Sequence, residues 1–441
     1  MLNHPWDNRA ISEPNARVNN CIRKVSGIDT QPSYALAIVL VVSLFFAWGV
    51  ANSLNDILIP QFKKAFVLTD LQTSLVQSAF YGGYFLFAIP AAMLMRRAGY
   101  RAALLTGLVL YAVGTFLFYP AAEAHSYAFF LGALLVIASG LSFLETSANP
   151  LMTILGPPEG AQRRLNFAQA FNPMGVISGV FIGRWFILSD TQAPAEQLSK
   201  AVVGPYVVIG LCVLFWVVLL AKTSFPPIAT TRTQEDNIGG FLKLFGYPRF
   251  LFGVAAQFFY VAAQVGVWSF MIRYTQQAVP TITLTHAAEV LFWSQAGFMI
   301  GRFAGTALMG KIAPEALLAI YAAAGIVLTA VAALVGGWAG VLCLAATSFF
   351  MSIMFPTIFA GAIRNLGPLT KQGSSFVVMA IIGGAAAPPL MGYISGTSSM
   401  QHAMLVPSLC FAVIFVFALA NRESKKEDID EGVAEAVAGG S

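Results

Sequence analysis

"SYALAIVLVVSLFFAWGVANSLNDILIP" (33–60) decides the fold. Its first part, up to Val50, holds no charged residue. About 20 apolar residues in a helix cross a hydrocarbon core about 30 Å thick, so the stretch reads as a membrane span. Its second part departs from the first. Two amides, Asn52 and Asn55, and a carboxylate, Asp56, sit inside the apolar run, and "ILIP" follows them. An ionisable group deep in a bilayer costs about 2.5–3.5 kcal/mol or more. Residues 52, 55 and 56 share one helical face by the i, i+3, i+4 rule. A span polar on one face suits a helix that lines a wet cavity.

The same reading extends along the chain. Hydrophobic residues make up 57% of it and charged residues 10%, against a usual charged share of about a quarter. So few charges cannot cover a water-facing surface. Twelve apolar stretches follow one another, roughly at 34–60, 73–95, 101–120, 127–151, 165–188, 204–222, 249–272, 287–309, 315–335, 338–362, 374–395 and 403–421. They are apolar all round rather than alternating, which argues for helices and against a membrane β-barrel. The first 33 residues are polar, without the apolar core of a cleavable signal peptide. They and the residues after 421 read as solvated tails. The four cysteines, Cys21, Cys212, Cys343 and Cys410, are scattered singly and form neither a metal spacing nor a disulfide framework.

Lys and Arg set the orientation. Nineteen of the 25 fall on the side that carries both termini, among them Arg96, Arg97, Arg101, Arg163, Arg164, Lys311, Arg364 and Lys371. The opposite side holds Lys63, Lys64 and Lys200, while Arg184, Arg273 and Arg302 lie in or near spans. Both termini are therefore expected in the cytoplasm, and the net charge of +5 reflects this bias rather than a nucleic-acid partner. The longest internal polar connector, 223–248, splits the chain six plus six. Weak echoes join the halves in order and at nearly one offset: "FFAWGVANSLND" (45–56) with "FFYVAAQVGVWS" (258–269), "FYGGYF" (80–85) with "FMIGRF" (298–303), and "NFAQAFNPMG" (166–175) with "SFVVMAIIGG" (375–384). Two parallel six-helix halves with a site between them at mid-membrane is the architecture of a secondary transporter.

Of twenty carboxylates, eighteen lie in tails, loops or span ends; Asp56 in span 1 and Glu145 in span 4 lie well inside. Amides gather around them. Span 4 reads "LETSANP", with Glu145 and Asn149 four apart; span 5 carries Asn166, Gln169 and Asn172 at spacings of three; spans 2, 7 and 8 add Gln77, Gln257, Gln264, Trp268 and Gln295. Amides donate and accept, as sugar hydroxyls require, and the C–H faces of a sugar can pack on Trp268, Phe355 or Phe359. Each amide taken singly is equally open to the reading of glue between helices; for the carboxylates a structural ion pair, such as Asp56 or Glu145 with Arg302, is the lesser alternative. Arg302 in "GRFAG" reads as a structural or gating residue, and "GGAAAPPLMG" (383–392) as close packing with a kink. Burial disfavours the charged form of a carboxyl, so a deep one can take up a proton and release it on the other side. No G-x-x-x-x-G-K-[ST] loop is present to support an ATP-driven pump. Sodium coupling stays open, with protons preferred because they need fewer ligands. No catalytic triad or metal cluster is legible, and no cofactor is expected beyond a proton as co-substrate.

The stretches "SLFFAWGVANSLNDILIPQFKKAF" (43–66), "QSAFYGGYF" (77–85), "LETSANPLMTILGP" (144–157), "RRLNFAQAFNPMG" (163–175), "QVGVWSFMIRY" (264–274), "SIMFPTIFAGAIRNLG" (352–367) and "GSSFVVMAIIGG" (373–384) resemble the fucose:proton symporter family of the major facilitator superfamily, which also contains glucose/galactose carriers. The resemblance covers about residues 40–420. The superfamily's loop signature is degenerate: "MRRAGYR" (95–101) keeps the positives and Gly99 but has no Asp. The resemblance implies an all-α membrane protein with two pseudo-symmetric six-helix halves and uptake of a hexose or deoxyhexose with a proton by alternating access. The functional carboxylates of that family match Asp56 and Glu145, and its cavity positions match Gln169 and Asn172. Ser53 stands where fucose carriers can have Asn, and Met354-Phe355-Pro356 where they can have Gln-Tyr-Pro. Both changes are expected to remove polar reach from the cavity, so glucose or galactose stays open beside L-fucose.

The expected organisation is a tail at 1–33, halves at 34–222 and 249–421 around the connector 223–248, and a tail at 422–441. The expected function is sugar:proton symport, not enzymatic catalysis, by a monomer in a bacterial inner membrane. Asp56 is expected to bind sugar and sense its presence, and Glu145 to carry the proton. Asn52, Asn55, Gln77, Asn149, Gln169, Asn172 and Gln264 would supply hydrogen bonds, with Trp268 and Phe355 as apolar walls. A drug or metabolite exporter of the same fold is the main rival.

Overall fold

The structure, a computed structural model, describes residues 35–66, 70–155, 158–186, 200, 202–223 and 239–438. Inside the described helices, the side chains of Asn55, Asp56 and Gln77 lie outside the described residues. Helices form every regular element among them. Span 1 is Ala35–Phe66. Spans 2 and 3 form one stretch, Asp70–Phe116, that turns back at Gly99, where φ is 83°. Glycine takes that conformation without a steric penalty. Span 4 is Tyr127–Ile154 and span 6 is Val203–Lys222. Span 5 comes in two pieces, Ala161–Gln169 and Phe171–Phe186. Spans 7, 8 and 9 are Pro248–Ala278, Leu284–Leu308 and Pro314–Leu334. Span 10 is broken into Gly337–Met351 and Met354–Ile363, and span 11 into Thr370–Met379 and Gly383–Thr397. Span 12 begins the last helix, Leu405–Ala438.

Local chemistry sets several of these boundaries. The hydroxyls of Ser126 and Thr283 accept from the N–H groups of Phe129 and His286 and cap spans 4 and 8. Pro248 and Pro314 stand in the first turn of spans 7 and 9, where a missing N–H costs nothing. Eight helical stretches among the described residues are long and apolar enough to cross a membrane. One of them, Ala79–Glu123, runs 45 residues and holds spans 2 and 3. Large apolar side chains such as Leu334, Leu409, Leu342 and Trp293 point outward, as a lipid-facing surface requires.

The two halves pack alike. In the first half, span 5 lies on span 1, span 4 on span 2, and span 6 on span 3; in the second, span 11 lies on span 7, span 10 on span 8, and span 12 on span 9. Glycines allow the closest approaches. A Cβ on Gly49 would lie 2.0 Å from the Asn172 carbonyl oxygen, and one on Gly175 2.0 Å from that of Phe46. The equivalent contact in the second half sets Gly383 against the Phe258 carbonyl at 2.2 Å. The pairings of spans 1, 2 and 5 recur in spans 7, 8 and 11, as the echoes in the sequence anticipate.

Two local readings change. The polar connector contains a short helix, Gly239–Lys243, and the last helix continues past 421 to Ala438. That terminal segment is rich in Glu, Lys and Ala, all strong helix formers, so it needs no apolar face to stay helical.

Candidate functional site

Span 4 forms the wall of the site. Every residue from Ile137 to Thr153 is buried, and Glu145 within it is 5% exposed. No cation pairs with this carboxyl among the described residues; elsewhere Arg364 pairs with Glu315 at 2.9 Å. The structural-pair reading with Arg302 is thereby overturned for Glu145. Among the described residues, two neutral polar groups lie near Glu145, Tyr84 and Asn149. The Tyr84 phenol accepts from Trp48 Nε1 at 2.9 Å. Ser142 Oγ donates to the Tyr84 carbonyl at 3.0 Å and locks span 4 to span 2. Asn149 stands one turn on, four residues from Glu145, and its amide nitrogen is buried and unbonded.

From Asn149 the contacts run across the molecule. Gln169 Nε2 donates to Asn149 Oδ1 at 2.9 Å. The Gln169 backbone carbonyl accepts from Arg302 Nη1, in the other half, at 3.1 Å. Arg302 is 3% exposed, donates through Nε to the Ser352 carbonyl, and lies 4.6 Å over the Phe298 ring. Asn166 Nδ2 donates to Thr357 Oγ1 across the same interface at 3.1 Å. Nearer the Arg-rich loops, Lys371 sits 5.4 Å over the Tyr100 ring, and the Gln372 amide oxygen accepts from Arg96 at 3.1 and 3.2 Å. These bonds between the halves gather from mid-membrane to the Arg-rich side.

The second half presents a stripe on span 7. Tyr260, Gln264 and Trp268 follow at spacings of four, hence on one face. Gln264 and Trp268 are half-buried. Trp268 Nε1 donates to Ser348 Oγ at 3.0 Å, and its ring meets Phe298 edge-on at 5.2 Å. Phe355 is half-buried and packs against Tyr260 at 6.1 Å. In span 1, Asn52 is half-buried with its side-chain oxygen buried and unbonded.

Several sequence expectations shift in this setting. Asn149 and Gln169 bond each other, and Asn172 Nδ2 donates to the Phe45 carbonyl at 3.2 Å, so these amides join helices. Phe359 is fully buried and packs behind Phe355, so it is core and not cavity wall. Ser53 is 4% exposed and faces Gly179 of span 5, and Met354 is fully buried. The Ser53 departure therefore changes helix packing, not the reach of the cavity. Trp48 and Tyr84 escaped the sequence reading because aromatic rings count as apolar there; four-residue spacing to Asn52 from Trp48 was the available signal.

Residues 37–382 match the Major Facilitator Superfamily. The chain belongs to that superfamily. This transporter is 45% identical over 408 residues to the L-fucose-proton symporter of Escherichia coli (strain K12), spanning 88% of this chain and 93% of the relative. It is 37% identical over 402 residues to the glucose/galactose transporter of Brucella abortus biovar 1 (strain 9-941), spanning 90% and 96%. It matches the crystal structure of the superfamily transporter FucP in the outward conformation with a TM-score of 0.82 at 43% identity, covering 88% of this chain and 99% of that one. These relatives are transporters, and the chain is a membrane transporter, not an enzyme.

Proposed function

We propose that this transporter imports L-fucose together with a proton, by alternating access, across a bacterial inner membrane with both termini in the cytoplasm. The observation that carries the reading is Glu145: a carboxyl 5% exposed, unpaired with any described cation, and set among neutral polar groups. A bare carboxylate at such a place is costly, and a proton removes the cost. The choice of sugar leans on the 45% identity to an L-fucose-proton symporter against 37% to a glucose/galactose transporter.

In this reading the bodies that rock are 34–222 and 249–421, with 223–248 between them. Asp56 binds and senses the sugar, and Glu145 carries the proton. Asn52, Asn55, Gln77, Asn149, Gln169, Asn172 and Gln264 supply hydrogen bonds, while Trp268 and Phe355 pack against the sugar's C–H faces. The bonds on the Arg-rich side hold the cytoplasmic end closed, so the cavity opens outward. The protein works as a monomer with sugar, proton and lipid as its partners.

The test is proton flux. The purified protein in liposomes in weak buffer receives L-fucose outside, with D-galactose and D-glucose as parallel additions, while external pH is followed. Alkalinisation with L-fucose supports the reading. A response to glucose or galactose alone keeps the mechanism and changes the sugar. A folded protein that answers none of them points to an exporter or to sodium coupling.

A further inference from the structure

Arg302 holds a buried charge, yet its two described hydrogen-bond acceptors are backbone carbonyls, one in each half of the molecule: Gln169 in span 5 and Ser352 in span 10. Their positions explain the choice. In a regular helix the carbonyl of residue i accepts from the N–H of residue i+4. Four residues after Gln169 stands Pro173, and four after Ser352 stands Pro356. Proline has no N–H, so both carbonyls lose their helical donor. Both spans break at these places, between Gln169 and Phe171 and between Met351 and Met354. Inside a membrane no water replaces a lost donor, and freed carbonyls are satisfied by neighbouring helices. Arg302 satisfies both.

We infer that Arg302 is a positioning residue of the transport cycle: a strap that ties the proline-freed carbonyl of Gln169 in one half to that of Ser352 in the other, and so holds the inner end of the transporter closed. The inference rests on the alternating-access reading above but not on the identity of the sugar. Arg302 belongs to the second half by three contacts: the Ser352 carbonyl, the face of the Phe298 ring 4.6 Å away, and Thr306 Oγ1, which donates to the Arg302 carbonyl at 2.6 Å. Its bond to Gln169 is the one that must break when the halves part. The strap also reaches the proton site, because the Gln169 side chain holds Asn149 one turn from Glu145. A planar guanidinium spans two carbonyls from fixed directions; a lysine ammonium is a point charge on a flexible stem and does not.

The experiment reads the conformation of the sugar-free protein. Spin labels at Glu159→Cys and Lys311→Cys, both exposed and on facing loops of the Arg-rich side, report the separation of the halves by double electron–electron resonance. Arg302→Gln should move the population to the longer distance by about tenfold or more, the scale of losing a charge-assisted hydrogen bond made in one state only. Arg302→Lys should give a partial shift. Pro173→Ala restores a helical donor for the Gln169 carbonyl and should shift the population the same way, and its combination with Arg302→Gln should add little, as partners in one interaction do. Thermal melting checks folding; if Arg302→Gln does not fold, Arg302→Lys and Pro173→Ala carry the test. An unchanged distance distribution in the folded variants, or full additivity of the pair, overturns the strap. Because the readout needs neither sugar nor gradient, a shift in a protein that fails the flux test keeps the strap and removes the sugar reading instead.

Discussion

A proton can stand in for a counter-ion at Glu145, because the carboxyl is 5% exposed and no described cation reaches it. Glu145→Gln mimics the protonated form in shape and charge. It should abolish uphill sugar accumulation, which needs the proton to leave, and spare counterflow exchange, which does not. Concentrative uptake at the unmutated rate would remove Glu145 from the proton path. The neighbouring Trp48–Tyr84 bond gives a second expectation at this scale. Trp48→Phe keeps the ring but leaves the Tyr84 hydroxyl without its donor, and a buried polar group left unbonded costs about 1–3 kcal/mol. Thermal melting should show that loss, with a weaker pH dependence of transport if Tyr84 also positions Glu145. The burial of Glu145 was legible in the sequence because a charge inside an apolar run stands out; Asp56 stands out in the same way, and its side chain lies outside the described residues. The Arg302 contacts were not legible, since they run to backbone carbonyls and only the prolines four residues on mark them.

Glycines set the closest helix contacts in this molecule. Association of helices in lipid draws no hydrophobic gain, so close contact of small residues takes its place. Gly175→Ala would set a Cβ 2.0 Å from the Phe46 carbonyl oxygen and force spans 1 and 5 apart. Overpacking of this kind costs about 1–3 kcal/mol, and the melting temperature in detergent should fall. Gly132→Ala, where a Cβ meets nothing within 4 Å, should leave it unchanged or slightly higher; equal effects at the two positions would refute the packing account. The spans themselves were legible, because each apolar stretch had to become a helix in lipid. Less so were the breaks at Ala170 and at Ser352–Ile353. Hydropathy averages over a window of residues and does not register one missing N–H. The extension of the last helix past 421 was hidden for the opposite reason, since a charged helix and a charged coil share the same composition.

At the scale of the whole molecule the question is what moves the halves. A ligand shifts such an equilibrium only by its differential affinity for the two states, and moving it from about 1:99 to 99:1 takes about 10⁴-fold. In the proposed cycle sugar and proton together favour the state in which the Arg-rich side opens. The pseudo-symmetric pairing of spans was faintly legible in the echoes between halves, but the bonds that close one end were not. They join residues as far apart as Asn166 and Thr357, which no local pattern connects. With the same spin labels at 159 and 311, saturating L-fucose should lengthen the distance more at low pH than at high pH, because the proton binds the same state as the sugar. In Glu145→Gln the lengthening should lose its pH dependence, since the group that titrates is gone and its neutral form is permanent. If the pH dependence survives in that variant, the coupled proton sits elsewhere, and Asp56 becomes the carboxylate to replace next. If sugar lengthens the distance equally at every pH in the unmutated protein, conformational coupling to the proton is absent, and uptake runs on another ion.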